Sequence, residues 1–277
     1  MPDISHTPTR SWLFTPAIRP ERFIKAVESA ADISIIDLED SVTPNDKAQA
    51  RKIAMQFLSS RPNSSLKIAL RINGMNTHAG IEDLHMLLEC RFFPDYIILP
   101  KTESAAHLQI VDSLIMMAGS DTRLIGIIES VVGLNAVESI APRLCGLMFG
   151  AADMAADIGA TPAWEPLALA RARIVAACAM KGLLAIDAPF FDIGDFSGLK
   201  EETLQALSFG FSAKSAIHPA QISVINTAFT PTTAEINHAR AVLTENAKGV
   251  GIVSGMMIDA AVARQARRLL ARAGIFS

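Results

Sequence analysis

Two carboxylates follow two apolar runs in the segment from Leu124 to Asp153, and their spacing predicts a small metal site. Glu129 comes directly after the run 124–128, and Asp153 follows the run 147–152. The segment reads as strand, helix, strand, and parallel strands joined by a crossover have their carboxyl ends on the same rim. If the strands are neighbours, the two carboxylates converge as in an oxygen-ligand site for Mg²⁺. The alternative is that Glu129 caps the next helix and that Asp153 is an N-cap.

Five further strand ends are predicted to bring polar side chains to the same rim. Acids gathered in a concave site repel one another unless a cation or a substrate compensates their charge. The combination favours anion recognition by Arg71 and metal chelation by Glu129 and Asp153. The expected rim residues are Asp37, Glu39, Asp40, Arg71, Asn73, Lys101, Asp187 and His218.

The acids of the segment 37–40 have two interpretations. They could hold the water molecules of the metal, or they could fix Lys101 and Arg71 through ion pairs. A plain ion pair of Asp37 or Glu39 with Lys101 is also open, and His218 could simply begin a helix.

Short apolar runs alternate with amphipathic helical patterns, and this alternation predicts eight βα units. Eight such units in roughly 220 residues are typical of a TIM (β/α)8 barrel, whose active sites lie at the C-terminal ends of the strands. A doubly wound open sheet is the alternative, but the chain lacks the glycine-rich turn after the first strand. The predicted strands are 12–14, 33–38, 67–72, 96–99, 124–128, 146–149, 183–186 and 215–217. The helices that we predict between them include 20–30, 44–58, 103–118, 166–181 and 199–209.

The barrel pattern stops near residue 228. We therefore assign residues 1–228 to a TIM-barrel catalytic domain and residues 229–277 to a C-terminal helical extension. Two helices are expected there, joined by the glycine-containing stretch 249–259. So short a segment buries little apolar surface alone, so we expect it to pack on the barrel and on a neighbouring subunit.

The composition excludes several classes of function. The 277 residues carry a formal net charge of −3, and the pI near 6.1 gives no electrostatic case for nucleic-acid binding. No apolar run reaches membrane-spanning length, and the first ten residues contain no signal-peptide core. Cys90, Cys145 and Cys178 lack metal-like or disulfide-like spacing, so we expect reduced core or near-core thiols in a cytoplasmic protein.

A series of motifs extends nearly from end to end of the chain. They are SWLFTPAIRPERF, DLEDSVTPNDKAQAR, LRINGMNT, ILPKTES, IIES, GLMFGAADM, AIDAPFFDIGDFSGL, GFSAKSAIHPAQI, FTPTTAEI and GMMID. In this order they resemble the citrate lyase β-subunit-like (CitE-like) proteins of the HpcH/HpaI aldolase superfamily. The resemblance implies a Mg²⁺-dependent carbon–carbon lyase on a TIM barrel, usually a homotrimer. Its expected substrates are citryl, malyl or citramalyl thioesters of coenzyme A (CoA) or of an acyl carrier protein.

The resemblance also implies roles for single residues. Glu129 and Asp153 match the metal ligands, with Glu129 close to the substrate, and Arg71 matches the group that binds the oxoacid carboxylate. Asp259 matches an acid that some relatives present to the site of a neighbouring subunit, so it is our candidate for proton exchange. The expected catalytic residues are Arg71, Asp259, Asp37 and Glu39.

Two loops carry further expectations from the resemblance. The backbone around Ile217 and His218 resembles a substrate contact. Many relatives have Pro-Gly in the loop after the first strand, whereas this chain has Ala17 in place of the glycine. Alanine tolerates positive φ poorly, so we expect a differently shaped loop. Arg19 and Arg22 are available for a phosphate-bearing carrier, or they form a solvated helix start.

The expected reaction splits a 3-hydroxyacyl thioester into an acetyl thioester and a 2-oxoacid. One alternative is a malate-synthase-like acyltransferase or thioesterase that uses the same site. Another is a citrate lyase subunit that depends on an acyl carrier protein. The acyl group, the carrier, the direction of the reaction and the oligomer size are left open.

Overall fold

The described part of the chain forms two compact units. A computed structural model describes residues 9–61, 66–249 and 251–275. One unit spans Thr9–Ile225, and the second begins at Asn226. The assignment of residues 229–277 to an extension that packs on the barrel and on another subunit stays a prediction.

The first unit contains a closed barrel of eight parallel strands in sequential order. The prediction of a TIM barrel is therefore confirmed, and the open doubly wound sheet is wrong. Strand eight pairs with strand one and closes the barrel, with Trp12 opposite Ser215. The strands are β1 (Ser11–Pro16), β2 (Ile33–Asp37), β3 (Lys67–Arg71), β4 (Tyr96–Leu99), β5 (Arg123–Ile128), β6 (Gly146–Phe149), β7 (Leu184–Asp187) and β8 (Ala213–Ala216).

The helices follow the predicted order, with differences at their starts. The proline at Pro44 begins a single 3-10 turn rather than the α-helix itself, which starts at Lys47. Helix α3 lies in the segment after β3, where we assigned no helix. The helices are α1 (Glu21–Glu28), α2 (Lys47–Ser59), α3 (His78–Cys90), α4 (Ala105–Met117), α5 (Val131–Ile140), α6 (Ala151–Ile158), α7 (Trp164–Lys181), α8 (Phe196–Phe209), α9 (Ile222–Phe229), α10 (Thr233–Asn246) and α11 (Ala260–Arg272).

Strand alternation decides which side chains reach the inside of the barrel. Successive side chains point to opposite faces of a strand. Ile35 and Ala69 belong to the apolar cluster inside the barrel, whereas Ile36 and Leu70 belong to the cluster between strands and helices. Side chains two residues beyond Ile35 and Ala69 therefore face the interior at its carboxyl end.

The second unit contains two helices and a hairpin. Helix α10 begins at a capping box, in which Thr232 accepts from the Glu235 backbone and Glu235 accepts from the Thr232 backbone. The strands β9 (Gly251–Val253) and β10 (Met256–Ile258) pair antiparallel. Both turn residues between them, Ser254 and Gly255, have positive φ, as the type I′ turn of a two-residue hairpin requires. For residues 249–259 we predicted only a connecting stretch, so the hairpin was missed.

A buried ion cluster lies between the barrel and its helices. Lys214 is fully buried, and its Nζ lies 2.6 Å from Asp187 Oδ2 and 2.7 Å from Glu202 Oε1. The second Asp187 oxygen accepts from Arg171 Nε at 3.1 Å. The prediction that Asp187 lies on the rim of the site is therefore wrong. Asp187 shares the outward face of β7 with Ala185, because side chains alternate along the strand.

The three cysteines lie in different environments. Cys178 is buried and Cys145 is half-buried, but Cys90 is exposed at the end of α3, so the expectation of three core or near-core thiols fails for Cys90. Among the described residues, no helix has both the length and the apolar character that crossing a membrane requires.

The ion cluster yields a stability prediction. We expect Lys214→Met to lower the free energy of unfolding by about 3–5 kcal/mol, because it leaves the buried Asp187 with Arg171 as its remaining cation and removes the ion pair with Glu202. The control is Glu82→Gln at the half-exposed ion pair with Arg51, where the loss should stay below about 1 kcal/mol. Urea denaturation followed by circular dichroism measures both. Equal losses in the two variants would contradict a structural role of the cluster.

Candidate active site at the carboxyl end of the barrel

A cavity of about 680 Å³ opens at the carboxyl ends of the strands. It lies entirely within the first unit. Most of the predicted site residues line it, and among these are Asp37, Arg71, Glu129, Asp153, Ile217 and His218. The predicted convergence of these side chains is thus present in the structure.

Arg71 and Asp37 form a two-point ion pair at the base of this cavity. The two residues are register partners on neighbouring strands, and Arg71 donates from Nε and Nη2 to the two Asp37 oxygens at 2.6 and 2.8 Å. Asp37 also accepts from the backbone N–H groups of Glu39 and Ser41. Burial alone would raise the pKa of Asp37, but the hydrogen bonds and charge of Arg71 outweigh it and lower that pKa. Asp37 is therefore ionised and positions Arg71.

Glu39 is a buried carboxylate between two cations. Its Oε1 accepts from Lys101 Nζ at 2.9 Å, and its Oε2 lies 3.0 Å from Arg71 Nη1. This second contact has the distance of an ion pair but not the angles of a hydrogen bond. Burial raises the pKa of Glu39, against the nearby charges of Arg71 and Lys101. Of the two interpretations of these acids, the geometry supports the fixing of Arg71 and Lys101; the catalytic roles of Asp37 and Glu39 stay predictions.

Glu129 and Asp153 follow β5 and β6, which are neighbouring strands of the barrel, and both line the cavity. Glu129 is 5% exposed and accepts from the Lys101 backbone N–H at 2.6 Å. Burial, together with Glu39 and a hydrogen bond to the Asp153 carboxyl group, raises the pKa of Glu129 to about 8. Two carboxyl groups are thus held in contact, one buried and one exposed.

The two capping alternatives for these acids are wrong. The N-cap of α5 is Ser130, whose Oγ accepts from the Gly133 N–H at 3.1 Å. The N-cap of α6 is Gly150, and Asp153 lies in the first turn of that helix. Neither carboxylate is therefore needed to begin a helix.

The donor set fits a divalent cation such as Mg²⁺. In the described part of the chain, Arg71 and Lys101 form ion pairs with Asp37 and Glu39, whereas no ion pair includes Glu129 or Asp153. A cation between these last two carboxylates would remove their repulsion. No third His, Cys, Asp or Glu joins them among the described residues. Mg²⁺ suits this arrangement, because it is bound by one or two carboxylates and keeps several waters.

Gly150 makes room for Glu129. A Cβ atom at this position would lie 2.4 Å from Glu129 Cβ and 2.7 Å from Glu129 Oε2. Such distances do not occur between non-bonded atoms, so any larger residue would displace the carboxylate. The loop after β5, which carries Glu129, and the start of α6 approach this closely only because residue 150 is glycine.

Gln221 organises the wall formed by the loops after β7 and β8. This glutamine is 1% exposed. Its Oε1 accepts from the N–H groups of Ile217 and His218 at 3.0 and 3.3 Å, and its Nε2 donates to the Phe190 carbonyl at 2.8 Å. His218 caps the turn Pro219–Gln221 through Nδ1, so its helix-start role is present. Because both N–H groups already donate to Gln221, any substrate contact at Ile217 and His218 would have to use their other atoms.

Several lining residues were missed or only partly foreseen in the sequence. The ring of Phe14 lies 4.8 Å from the Arg71 guanidinium carbon and covers one face of it. The exposed cations Arg22 and Lys25 and the apolar side chain of Phe191 stand at the cavity wall. Ala17 does not have positive φ; a loop shaped differently from that of the relatives stays a prediction. Of these lining residues, Phe14 could have been found from its position near the end of a strand, and Arg22 was noted at the start of a helix.

Asp259 lies in the second unit. Its Oδ1 accepts from the N–H groups of Ala261 and Val262 at 2.8 and 2.9 Å, so it is the N-cap of α11. A catalytic role of Asp259 stays a prediction.

Comparison with known proteins places these motifs in one family. The family model described as HpcH/HpaI aldolase/citrate lyase matches residues 10–219. The chain is 36% identical to the L-malyl-CoA/β-methylmalyl-CoA lyase of Rhodobacter capsulatus, in an alignment that covers 95% of this chain and 94% of that protein.

Two crystal structures are similar over most of the chain. RipC from Yersinia pestis is 66% identical, with a TM-score of 0.74 over 84% of this chain and all of that one. CitE from Mycobacterium tuberculosis, in complex with magnesium, acetoacetate and coenzyme A, is 32% identical, with a TM-score of 0.81 over 97% of this chain and 99% of that one.

The close approach at Gly150 yields a prediction about the metal site. We expect Gly150→Ala to weaken Mg²⁺ binding more than about tenfold, because the added methyl group displaces a ligand. Calorimetric titration with Mg²⁺ measures the affinity, and circular dichroism verifies the fold. The matched control is Gly194→Ala, whose new methyl group would meet nothing closer than 3.5 Å. Wild-type affinity in the Gly150 variant would argue against Glu129 as a ligand.

Proposed function

This chain belongs to the HpcH/HpaI aldolase/citrate lyase family, and from that membership we propose that it is a Mg²⁺-dependent carbon–carbon lyase acting on a CoA thioester. The substrate is a 3-hydroxyacyl thioester of the citramalyl, malyl or citryl type. The products are an acetyl thioester and a 2-oxoacid. Similarity to a malyl-CoA lyase and to a CitE structure with magnesium and coenzyme A supports this proposal.

One observation carries the proposal. A single cavity holds a fixed guanidinium group, that of Arg71, and a pair of carboxylates without cationic partners among the described residues, Glu129 and Asp153. The first suits the carboxylate of an oxoacid, and the second suits a divalent cation. A lyase of this class needs both together, because the hydroxyl group must lose its proton and the neighbouring carboxylate must be held while the electron pair of the breaking carbon–carbon bond passes to the thioester enolate.

Glu129 and Asp153 would hold Mg²⁺. When bound there, the cation supplies Lewis-acid polarisation of the hydroxyl oxygen that becomes the carbonyl of the 2-oxoacid. The exposed Asp153 and the buried Glu129 would be its two protein ligands. The Lys101 N–H fixes the orientation of Glu129 by a hydrogen bond to Oε1.

Arg71 would bind the carboxylate of the oxoacid portion. Asp37 and Phe14 hold the guanidinium group in place, so it need not reorganise during the reaction. A preorganised charge in a water-poor site stabilises developing negative charge far better than water does. Arg71 thereby orients the bond to be broken relative to the carboxylate pair.

Asp259 is our candidate for proton delivery to the enolate carbon of the acetyl thioester. An aspartic acid suits this step when it is placed within hydrogen-bonding reach of that carbon. Because its motif resembles one in which some relatives present an acid to a neighbouring subunit, we propose that Asp259 serves the site of a neighbouring subunit in a homotrimer.

The CoA carrier has suitable neighbours at the cavity wall. Arg22 and Lys25 are exposed cations that suit its phosphate groups, and Phe191 offers an apolar surface. An acyl carrier protein bears the same phosphopantetheine chemistry, so it remains the alternative carrier. We also propose a cytoplasmic location, in line with the thioester substrate.

The reaction is tested by offering citramalyl-CoA, malyl-CoA and citryl-CoA separately and detecting products by mass spectrometry. We expect release of acetyl-CoA from one of them with Mg²⁺ and none with excess chelator. Asp153→Asn should lower the rate by more than about 10²-fold, because it removes one charge from the cation site. Full activity with chelator would overturn the metal site.

The other outcomes separate the alternatives. Free thiol released from acetyl-CoA and glyoxylate or pyruvate would indicate a malate-synthase-like transferase or thioesterase. Mg²⁺ binding without cleavage of any CoA thioester would indicate a substrate on an acyl carrier protein, or a subunit role.

Asp259→Asn tests the proton donor. Asparagine preserves the cap of α11, so we expect an unchanged melting temperature and a turnover lowered by about 10²–10⁴-fold. The control is Asp195→Asn, another N-cap aspartate, whose turnover should not change. Equal turnover in both variants would contradict the role of Asp259.

Mixed oligomers locate the Asp259 that serves each site. We expect co-assembly of the Asp259→Asn and Asp153→Asn chains to restore part of the activity, because some sites then receive an intact acid from a neighbour. Activity that stays absent in the mixture would place Asp259 in the site of its own chain.

A further inference from the structure

Lys101 has a backbone conformation that is unusual for its residue type. Its φ is +47°, in the left-handed region. Residues other than glycine, asparagine and aspartate rarely adopt this region, because Cβ approaches the backbone. Strain of this kind persists only where the surrounding structure enforces it, and it concentrates at functional sites.

Hydrogen bonds fix the backbone at Lys101 and at the residue after it, Thr102. The Thr102 N–H donates to the Ile127 carbonyl on β5 at 3.1 Å, and Thr102 Oγ1 donates to the Leu99 carbonyl at the end of β4 at 2.7 Å. The Lys101 N–H itself donates to Glu129 Oε1 at 2.6 Å. With the peptide nitrogen and the following residue held, the positive φ determines where the side chain points.

That side chain reaches the other half of the site. Lys101 Nζ donates to Glu39 Oε1 at 2.9 Å, and Glu39 Oε2 lies 3.0 Å from Arg71 Nη1. Lys101 therefore contacts the carboxylate pair through its backbone and the anion-binding arm through its amine. Glycine would adopt this φ without strain but would lack the amine.

We propose that Lys101 is a positioning residue that couples the two halves of the site: its N–H orients Glu129, and its amine balances Glu39 so that Arg71 is free to bind an oxoacid. This inference rests on the proposed function and deepens it. The half-exposed amine gives little stability, since ion pairs of exposed side chains contribute little. The amine of Lys101 instead affects how strongly Glu39 neutralises the charge of Arg71.

Loss of the amine has a specific consequence. Glu39 is buried, and without Lys101 the Arg71 guanidinium is the cation that remains within ion-pair distance of its carboxylate among the described residues. An incoming carboxylate then meets a guanidinium group that is already more fully neutralised. The backbone N–H remains in any substitution other than proline, so the support of Glu129 persists.

The experiment measures two affinities in the full-length protein by calorimetry: that for Mg²⁺, and that for pyruvate with Mg²⁺ present. For Lys101→Met we expect pyruvate affinity to fall about five- to tenfold, with Mg²⁺ affinity within about twofold of wild type. Lys101→Arg should restore most of the pyruvate affinity, because it keeps the positive charge. Lys52→Met on the exposed face of α2 is the matched control and should change neither.

A second pair of variants tests the backbone. Lys101→Gly and Lys101→Ala both lack the amine, but only glycine relieves the positive φ. We expect the glycine variant to melt about 2 °C or more above the alanine variant, while both bind pyruvate as weakly as Lys101→Met. Equal melting temperatures would overturn the argument that strain is retained for the sake of the amine.

The remaining outcomes are distinguishable. Wild-type pyruvate affinity in Lys101→Met, or a parallel loss of Mg²⁺ and pyruvate binding with a lowered melting temperature, would overturn the coupling role. If the wild-type protein itself bound neither Mg²⁺ nor pyruvate, the proposed function would fail, and the role of Lys101 with it.

Discussion

The ion pair between Arg71 and Asp37 is the interaction on which the site depends. Both charges are buried, and such a pair is tolerable only when its geometry is good and its remaining donors and acceptors are satisfied. Asp37 meets this condition with two guanidinium contacts and two backbone N–H donors. The pair fixes the guanidinium group of Arg71 at the mouth of the barrel, and the two charges of the pair cancel. Any further charge in the cavity then needs its own partner.

The barrel itself was predictable because most strands are short and apolar and have a polar side chain at or just after their carboxyl end. Runs such as 124–128 and 146–149 agree with β5 and β6 to within one residue. Position at a strand end, however, does not say which face a residue takes. Asp37 is in phase with Ile35 and faces the interior, whereas Asp187 is in phase with Ala185 and faces the helices. The alternation of side chains along β7 indicates which face Asp187 takes, whereas its position at the strand end does not.

Other features of the site depend on contacts between distant segments. The glutamine Gln221 joins two loops that are about thirty residues apart in sequence, and the positive φ of Lys101 follows from bonds to β4 and β5. No local pattern encodes either arrangement. The hairpin turn at Ser254 and Gly255 is a different case, because a Ser-Gly pair between apolar residues is a local turn signal.

Charge balance connects the site to the kind of substrate that it suits. With Arg71 set against Asp37, and Lys101 against Glu39, a divalent cation at Glu129 and Asp153 would bring these six side chains and the ion to neutrality. A substrate carboxylate would then be attracted by oriented hydrogen-bond donors rather than by net charge. Such a site favours ligands that match the geometry of the donors over ligands that are merely anionic. Outside these six side chains, the described lining of the cavity holds one more acid, Asp40, and the exposed cations Arg22 and Lys25 on the wall. A molecule with one carboxylate at its reacting end and phosphates at the other matches that division, as a CoA thioester of a hydroxy acid does.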